Sequence, residues 1–319
     1  MSGLTVVFGN GSVGHLVTET LRSRGDDVRI AQRHRPVGAL KGAEFVACDI
    51  LDGDAVRAAV EGASQVVLSV GFQYDARVWR TVWPKTMTNV VEACAAVGAR
   101  VVFIDNLYQL GPQLEPRHED MPLSAAGDKP AILSEVTRIW MAARDRVHVA
   151  ALRCTDFYGP GVFVSHIGSN AFGRLAKGKA AQLLAPPDTP HDFAYVPDIA
   201  RAAVTLLDAS DDAFGQVWNM PCAPTRTPRE ILKLGADAIG VRLKIVSIPL
   251  WLLPGAGVFS RFMKEVADVG FTWDRPYVVD SGKFQRRFWS DVTPFEVGAP
   301  ATARSFVASL GRAGALVPS

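Results

Sequence analysis

The clearest indication of the fold lies near the start of the sequence, in the segment Leu4-Thr5-Val6-Val7-Phe8-Gly9-Asn10-Gly11-Ser12-Val13-Gly14. Its first five residues form a continuous apolar run, which is typical of a strand buried on both faces of a parallel sheet. The following G-x-G-x-x-G leads into a helical pattern that places Val13, Val17 and Leu21 on one face. A strand, a glycine turn and a helix in this order predict the first unit of an α/β fold.

The same alternation of short apolar runs and helical patterns continues to about residue 160. Further strands are predicted at Val28–Ala31, Phe45–Cys48, Gln65–Val70, Arg100–Ile104 and Val147–Arg153. Helices are predicted at Asp52–Glu61, Val82–Val97 and Ile132–Ala143, and Tyr195–Leu207 is expected to return to the sheet. We therefore predict an α/β protein with a Rossmann-type doubly wound parallel sheet over 1–160, to which 191–219 returns. Residues 161–190 and 220–319 are expected to form a smaller, mostly helical substrate-binding lobe.

Composition limits the classes of partner. The 319 residues carry 34 basic and 32 acidic side chains, a net charge of +2, without a long basic run. Nucleic acid is therefore not an expected partner. The four cysteines and six histidines lack the spacing of metal ligands, so no metal site is expected, and free thiols suit a cytoplasmic protein.

The most apolar later stretch, Ile245–Phe259, is short and contains Pro249 and Pro254. A helix needs about 20 apolar residues to cross a bilayer, so no membrane partner is expected. The same stretch could line an apolar pocket or form part of a homodimer contact.

The glycine turn predicts a dinucleotide site. Gly9 allows the tight turn, Gly11 lets the backbone approach a pyrophosphate, and Gly14 lets the helix pack closely on the strand. The start of the helix then offers free N–H groups to the phosphates. The residues expected to bind the cofactor here are Gly9, Asn10, Gly11, Ser12, Val13 and Gly14.

The end of the second predicted strand indicates which dinucleotide is bound. A site specific for NAD places a carboxylate there to accept a hydrogen bond from the ribose 2′-OH. This chain has Arg33, His34 and Arg35 instead. Guanidinium groups bind phosphate oxygens through paired hydrogen bonds, so we predict NADP(H), with Arg33 as the main contact to the 2′-phosphate.

Several motifs, in order along most of the chain, resemble the extended short-chain dehydrogenase/reductase superfamily, in its group of NAD(P)-dependent epimerase/dehydratases. They are the glycine turn, 48–52 (CDILD), 67–71 (VLSVG), 153–161 (RCTDFYGPG, similar to R-x-x-N-x-Y-G-P-G) and 191–198 (HDFAYVPD, similar to R-D-F-x-x-V-x-D). The resemblance implies that Asp49 and Ile50 contact the adenine. It also implies that Ser69, Val70, Gly71 and Tyr158 flank the ribose and nicotinamide.

The chain departs from this family in its catalytic residues. The family uses Ser or Thr after the fifth strand and a Y-x-x-x-K pair on the next helix, where the lysine lowers the pKa of the tyrosine. Here Asn106 stands near the usual Ser or Thr, and the next helix has no Y-x-x-x-K. We expect Tyr108 to be the proton donor, Asn106 to bind the substrate oxygen, and Lys129 or Asp105 to tune the phenol.

Three functions are compatible with these residues. The favoured one is an NADP(H)-dependent oxidoreductase that acts on a small apolar carbonyl, enone or imine, because the C-terminal lobe is rich in apolar side chains. The first alternative is a sugar-nucleotide epimerase or dehydratase. The second is a non-catalytic NADP(H)-sensing regulator of the NmrA-like kind, which the missing Y-x-x-x-K would favour.

Overall fold

The computed structural model describes residues 3–36, 42–250 and 261–315. Within them, seven parallel strands form the main sheet, in the order β10-β6-β5-β4-β1-β2-β3. These strands are β1 (Leu4–Phe8), β2 (Val28–Gln32), β3 (Glu44–Ala47), β4 (Ala63–Leu68), β5 (Arg100–Asn106), β6 (Val149–Cys154) and β10 (Gln216–Asn219). The strand order runs outward in both directions from the β1–β4 boundary, so the predicted doubly wound α/β fold is confirmed.

Helices connect the strands of this sheet. They are α1 (Ser12–Ser23), α2 (Gly53–Ala59), α3 (Ala76–Val97), α4 (Asp128–Ala142) and α6 (Val196–Leu207). Asp75 starts α3 by accepting a hydrogen bond from the Arg77 N–H, and Gly98 ends it in the left-handed conformation, with φ of 71°. The side chains of Val6, Val66 and Val101 are fully buried in the hydrophobic core beside the sheet.

The chain divides into two compact units. Unit 1 comprises 1–111, 119–154 and 199–220, and unit 2 comprises 112–118, 155–198 and 221–319. This division differs from the predicted boundaries by more than one residue in three places, because 112–118, 155–160 and 191–198 all belong to unit 2. Segment 112–118 belongs to unit 2 because the Arg117 N–H donates to the Val278 carbonyl. Segment 191–198 also belongs there, since strand β9 (Phe193–Tyr195) pairs with β7 (Asp156–Tyr158).

Unit 2 has its own core and two small sheets. Its strands are β7 (Asp156–Tyr158), β8 (Ala181–Leu184), β9 (Phe193–Tyr195) and β11 (Ile245–Ile248). Its helices are α5 (Gly173–Ala176), α7 (Pro228–Ala238), α8 (Arg261–Ala267), α9 (Gly282–Arg287) and α10 (Phe295–Ala315). Phe172, Ile231 and Phe295 lie at the centre of its core.

The apolar stretch predicted at Ile245–Phe259 is only partly described. Its first residues form β11, whereas 251–260 lie outside the described residues. Among the described helices, none combines the length and the hydropathy that a membrane crossing requires.

Candidate functional site

The glycine turn has the geometry that its sequence predicts. Gly9 has φ of 88°, a conformation that favours glycine. A Cβ on Gly14 would stand 2.0 Å from the Gly9 carbonyl oxygen, so close packing of α1 on the turn requires glycine. A Cβ on Gly11 would meet no atom within 4 Å, which leaves open space beside the backbone at that position.

The start of α1 is free of side-chain caps. Gly11 is the N-cap and makes no side-chain hydrogen bond, so the first-turn N–H groups have no side-chain acceptor at the cap. The Asn10 N–H donates to Gln32 Oε1 at 2.9 Å, which ties the turn to the end of β2. Ser12 is the first residue of α1, and Val13 is buried. An uncapped helix start of this kind is suited to an anion.

Three cationic or titratable side chains follow β2, and all are exposed. They are Arg33, His34 and Arg35. The Arg35 guanidinium lies 4.9 Å from the centre of the Phe45 ring. Gln32 stands where a carboxylate would be expected, and its side chain bonds to Asn10 and to the His34 carbonyl.

The residues predicted around the adenine and ribose follow β3 and β4. The Asp49 side chain is exposed and accepts from the Leu51 N–H at 3.0 Å. Ile50 is nearly buried, and its carbonyl accepts from Asn89 Nδ2. Ser69 Oγ lies 3.1 Å from both the Phe8 and Gly9 carbonyl oxygens, so the segment after β4 borders the glycine turn. Val70 and Gly71 continue that segment.

Asn106 and Tyr108 lie together at the end of β5. Asn106 Oδ1 accepts a hydrogen bond from the Tyr108 backbone N–H at 2.9 Å. Tyr108 begins a short 3₁₀ turn, Tyr108–Leu110, and its ring is half-buried against the core of unit 1. With Oδ1 engaged, Asn106 Nδ2 keeps two N–H groups for another acceptor.

A buried ion pair lies beside this turn. Asp105 in β5 and Arg153 in β6 are register partners, with Arg153 Nε 3.4 Å from Asp105 Oδ2. Burial raises the pKa of Asp105 to about 6, although Arg153 and hydrogen bonds oppose the shift. Burial also lowers the pKa of Arg153. Ordinary carboxylates are fully ionised at neutral pH, whereas the Asp105 carboxylate titrates close to neutral pH.

Lys129 has surroundings that sequence reasoning did not predict. Its side chain is fully buried in the first turn of α4. Its Nζ lies 4.5 Å from the ring centre of Tyr74 and 5.8 Å from that of Trp79. Both rings follow the end of β4, and such contacts stabilise a desolvated ammonium group.

The Y-x-x-x-K pair that the family uses is absent from the whole sequence, and not only from α4. None of the five tyrosines has a lysine four residues later. Tyr158, which resembles the family tyrosine of R-x-x-N-x-Y-G-P-G, is buried in unit 2 against Tyr195 and Phe295. Burial raises its pKa, and its hydroxyl has no hydrogen-bond partner among the described residues. The predicted contact of Tyr158 with the cofactor stays a prediction.

Two further departures from the family motifs meet each other in unit 2. Asp156 stands in place of the Asn of R-x-x-N, and His191 in place of the Arg of R-D-F. His191 Nε2 lies 3.1 Å from Asp156 Oδ2, which also accepts from Trp273 Nε1 at 2.8 Å. These bonds hold the pKa of Asp156 below its usual value in spite of its burial.

We expect Asp156 and His191 to be energetically coupled. Asp156→Asn and His191→Gln should each destabilise the protein by about 2 kcal/mol, since each substitution leaves a buried polar group without its partner. The double variant should lose at least about 1 kcal/mol less unfolding free energy than the two single variants lose together. Because the folded-state pKa of Asp156 is depressed, its contribution is present at neutral pH and is lost as the pH falls through that pKa. Urea unfolding at neutral and acidic pH measures both effects.

The exposed pair Arg229–Asp188 provides a matched control for that cycle. Its coupling should be below about 1 kcal/mol, as is usual for surface pairs. Strict additivity of the Asp156 and His191 variants would show that the two exchanges are independent.

Comparison with known proteins places the chain in a class. The profile of the NAD dependent epimerase/dehydratase family matches residues 5–220, which is more than half of the chain. The protein therefore belongs to this family, as its sheet, glycine turn and motifs indicate.

Among the described residues, no group of three His, Cys, Asp or Glu side chains could hold a metal ion.

One curated relative is the uncharacterized protein y4nG of Sinorhizobium fredii (strain NBRC 101917 / NGR234). It is 24% identical over 252 residues, which cover 77% of this chain and 62% of the relative. The chain thus spans less than two thirds of the length of that protein.

Solved structures of similar fold include three enzymes or enzyme complexes. WbmH of Bordetella bronchiseptica in complex with NAD⁺ is 18% identical, with a TM-score of 0.76 and coverage of 96% of this chain and 98% of that one. UDP-glucose 4-epimerase of Thermotoga maritima with UDP-glucose is also 18% identical, with a TM-score of 0.77 and coverage of 96% and 99%. The dTDP-glucose 4,6-dehydratase of Streptomyces venezuelae with NAD bound is 18% identical, with a TM-score of 0.78 and coverage of 97% and 98%. Likeness at this identity shows the shared fold.

Proposed function

We propose that this protein is a nicotinamide-dinucleotide-dependent enzyme that oxidises and reduces a hydroxyl-bearing carbon of a sugar nucleotide, as epimerases and dehydratases do. The observation that carries the proposal is the open space at Gly11 beside the uncapped start of α1. Membership of the family and the titles of neighbours that hold UDP-glucose or NAD support it. A sugar nucleotide thus replaces the small apolar carbonyl, enone or imine favoured from sequence.

The residues present fit such a cofactor. The glycine turn would hold the pyrophosphate, because Gly11 leaves room for close backbone approach and α1 presents its N–H groups. Asp49 and Ile50 would contact the adenine, and Ser69–Gly71 the ribose. When bound, the nicotinamide supplies hydride transfer. We further propose a preference for NADP(H), with Arg33 at the 2′-phosphate.

The chain's own groups would handle the proton. The Asn106 amide would donate a hydrogen bond to the substrate oxygen through Nδ2. The Tyr108 phenol would then pass a proton to that oxygen or take one from it. The ammonium of Lys129 would favour the ionised phenol by its charge.

The proposal is tested with purified full-length protein, NADP⁺ or NAD⁺, and a panel of UDP- and dTDP-hexoses. Proton NMR should show conversion of at least one sugar to an epimer or a dehydrated product. Absence of conversion, with NADPH consumed in the presence of ketones, enones or imines, would instead identify a reductase of apolar substrates.

A second candidate, a non-catalytic NADP(H) sensor, is favoured by one observation. No tyrosine of the chain has a lysine four residues later, so the usual acid/base pair of the family is lacking. Tight cofactor binding in calorimetry without turnover of any substrate in either panel would support this candidate and contradict the enzyme.

Cofactor preference can be tested at a single residue. Arg33→Ser should weaken NADPH binding by about 10- to 100-fold, since it removes charged hydrogen bonds worth about 1.5–3 kcal/mol. NADH affinity should stay unchanged, because the 2′-OH offers no charge to the guanidinium. Isothermal titration calorimetry with both cofactors measures the difference. Equal loss for both cofactors, or equal affinity of the unmodified protein for both, would contradict an NADP(H) site.

A further inference from the structure

The turn that carries Tyr108 is fixed by two hydrogen bonds. The Tyr108 N–H bonds to Asn106 Oδ1 at 2.9 Å, and the Tyr108 carbonyl accepts from the Gly111 N–H at 2.9 Å. Gly111 has φ of 66°, and a Cβ there would stand 2.5 Å from Ser124 Oγ. The turn is therefore closed tightly and packed against the segment around Ser124.

Gln109 connects this turn to its surroundings in two directions. Its side chain is fully buried, and Nε2 donates to Asp105 Oδ2 at 2.6 Å. Its carbonyl accepts from the Ser124 N–H at 2.7 Å. The Ser124 carbonyl in turn accepts from the Ser134 hydroxyl in α4, at 2.6 Å. A chain of hydrogen bonds thus runs from Asp105 to the helix that carries Lys129.

The acceptor at the start of this chain of bonds is a titrating carboxylate. Asp105 faces Arg153 of β6, the Gln109 amide and the Asn106 N–H. Burial raises the pKa of the Cys154 thiol, and the charge of Asp105 adds to that effect. The charge of Glu119 also acts on the pKa of Arg153 and opposes the lowering that burial causes. With a pKa of about 6, Asp105 gains a proton within a range in which proteins stay folded.

We propose that Gln109 and Asp105 are positioning residues that together hold Tyr108 in place relative to Lys129. Ionised Asp105 binds the Gln109 amide strongly, and Gln109 fixes the residue that precedes it. Protonation of Asp105 weakens this bond, so Tyr108 becomes less ordered as the pH falls. The inference rests on the proposed role of Tyr108 in proton transfer, but its geometry can be tested without a substrate.

The test uses full-length protein labelled with ¹³C at the ζ carbon of its five tyrosines. The Tyr108 resonance is assigned from its absence in Tyr108→Phe, and its shift is followed from about pH 5 to about pH 8. In the unmodified protein the shift should change in one step with a midpoint at about 6, the pKa of Asp105. The step should disappear in Gln109→Met and in Asp105→Asn.

Gln109→Glu gives a second, opposite signature if the other variants fold poorly. A carboxyl at 109 donates to Asp105 only while it is protonated, so Tyr108 should be ordered at acidic pH and disordered at neutral pH. Gln65→Met is the matched control, since Gln65 also makes side-chain hydrogen bonds but lies near the start of β4. It should retain the step of the unmodified protein.

The same variants are then assayed for turnover. Gln109→Met should lower kcat by about 100-fold, the usual effect of misplacing a reacting group by about 1 Å, with cofactor affinity unchanged. An unchanged pH step of Tyr108 in both Gln109→Met and Gln109→Glu would overturn the positioning role. If the unmodified protein shows the pH step and the Gln109 variants alter it, but Tyr108→Phe keeps full activity, the positioning role stands and Tyr108 is removed from the proposed reaction.

Discussion

Gly14→Ala is expected to destabilise unit 1 by roughly 3 kcal/mol, the upper end of what overpacking usually costs. In an open helix the same exchange would stabilise by about 0.5–1 kcal/mol, because alanine is the better helix former. Here the new Cβ would stand 2.0 Å from the Gly9 carbonyl oxygen and 2.6 Å from Ser69 Oγ. The first contact is with backbone, so α1 must move away from the sheet. Urea unfolding of the variant measures the loss.

Gly11→Ala is the matched control in the same turn. Gly11 has φ of −70° and no atom within 4 Å of its Cβ position, so alanine fits without strain. Stability should stay within about 0.5 kcal/mol of the unmodified protein, whereas cofactor affinity should fall by at least about tenfold. Equal unfolding midpoints for the two variants would contradict close packing at Gly14, and unchanged cofactor affinity in Gly11→Ala would contradict a pyrophosphate at this turn.

Tyr108→Phe is expected to lower kcat on a converted sugar nucleotide by about 10²- to 10⁴-fold, the range of general acid–base catalysis. Cofactor affinity should not change, because Tyr108 follows β5 whereas the proposed cofactor contacts follow β1 to β4. The fold should also be retained, since the ring itself stays in contact with the core. Initial rates at saturating substrate, together with calorimetry for the cofactor, separate these quantities.

Tyr195→Phe is a control for the loss of a phenol elsewhere. Tyr195 is half-buried in unit 2, where its ring packs on Tyr158. Its removal should leave kcat within about twofold, a change of less than 0.5 kcal/mol in the barrier. Full activity of Tyr108→Phe, or equal losses in both variants, would show that the proton is handled by another group.

The fold was predictable because its signals are local. β1 has the predicted bounds, since a short apolar run between a polar start and a glycine turn predicts a buried strand with clear ends. The apolar periodicity predicts starts at Val82 and Ile132, several residues after the true starts of α3 and α4, because the first turns of these helices do not continue the periodicity. Predicted β4 extended to Val70, whereas the strand ends at Leu68, where the chain turns to run beside Gly9.

The candidate site was only half predictable for the same reason. The glycine turn is one contiguous segment, and so is Asn106–Tyr108, so each holds its own residues close together in the structure. The Tyr74 and Trp79 rings beside Lys129 come from a distant part of the sequence, and no periodicity links them to Lys129. The Asp156–His191 pair joins two separate motifs. Only the simultaneous departure of both motifs from the family pattern could have indicated that contact.

The position of β10 has a consequence for how the protein is made. All six residues of β6 are buried, and β10 covers the outer edge of that strand by parallel pairing from Gln216 to Asn219. Between the two strands the chain passes through residues 155–198 of unit 2. During synthesis the outer edge of β6 therefore stays unpaired until β10 has been made and residue 220 has left the ribosome. Fragments that stop near residue 154 should expose that edge and aggregate, so the sheet is a poor candidate for expression without the segment that returns to it.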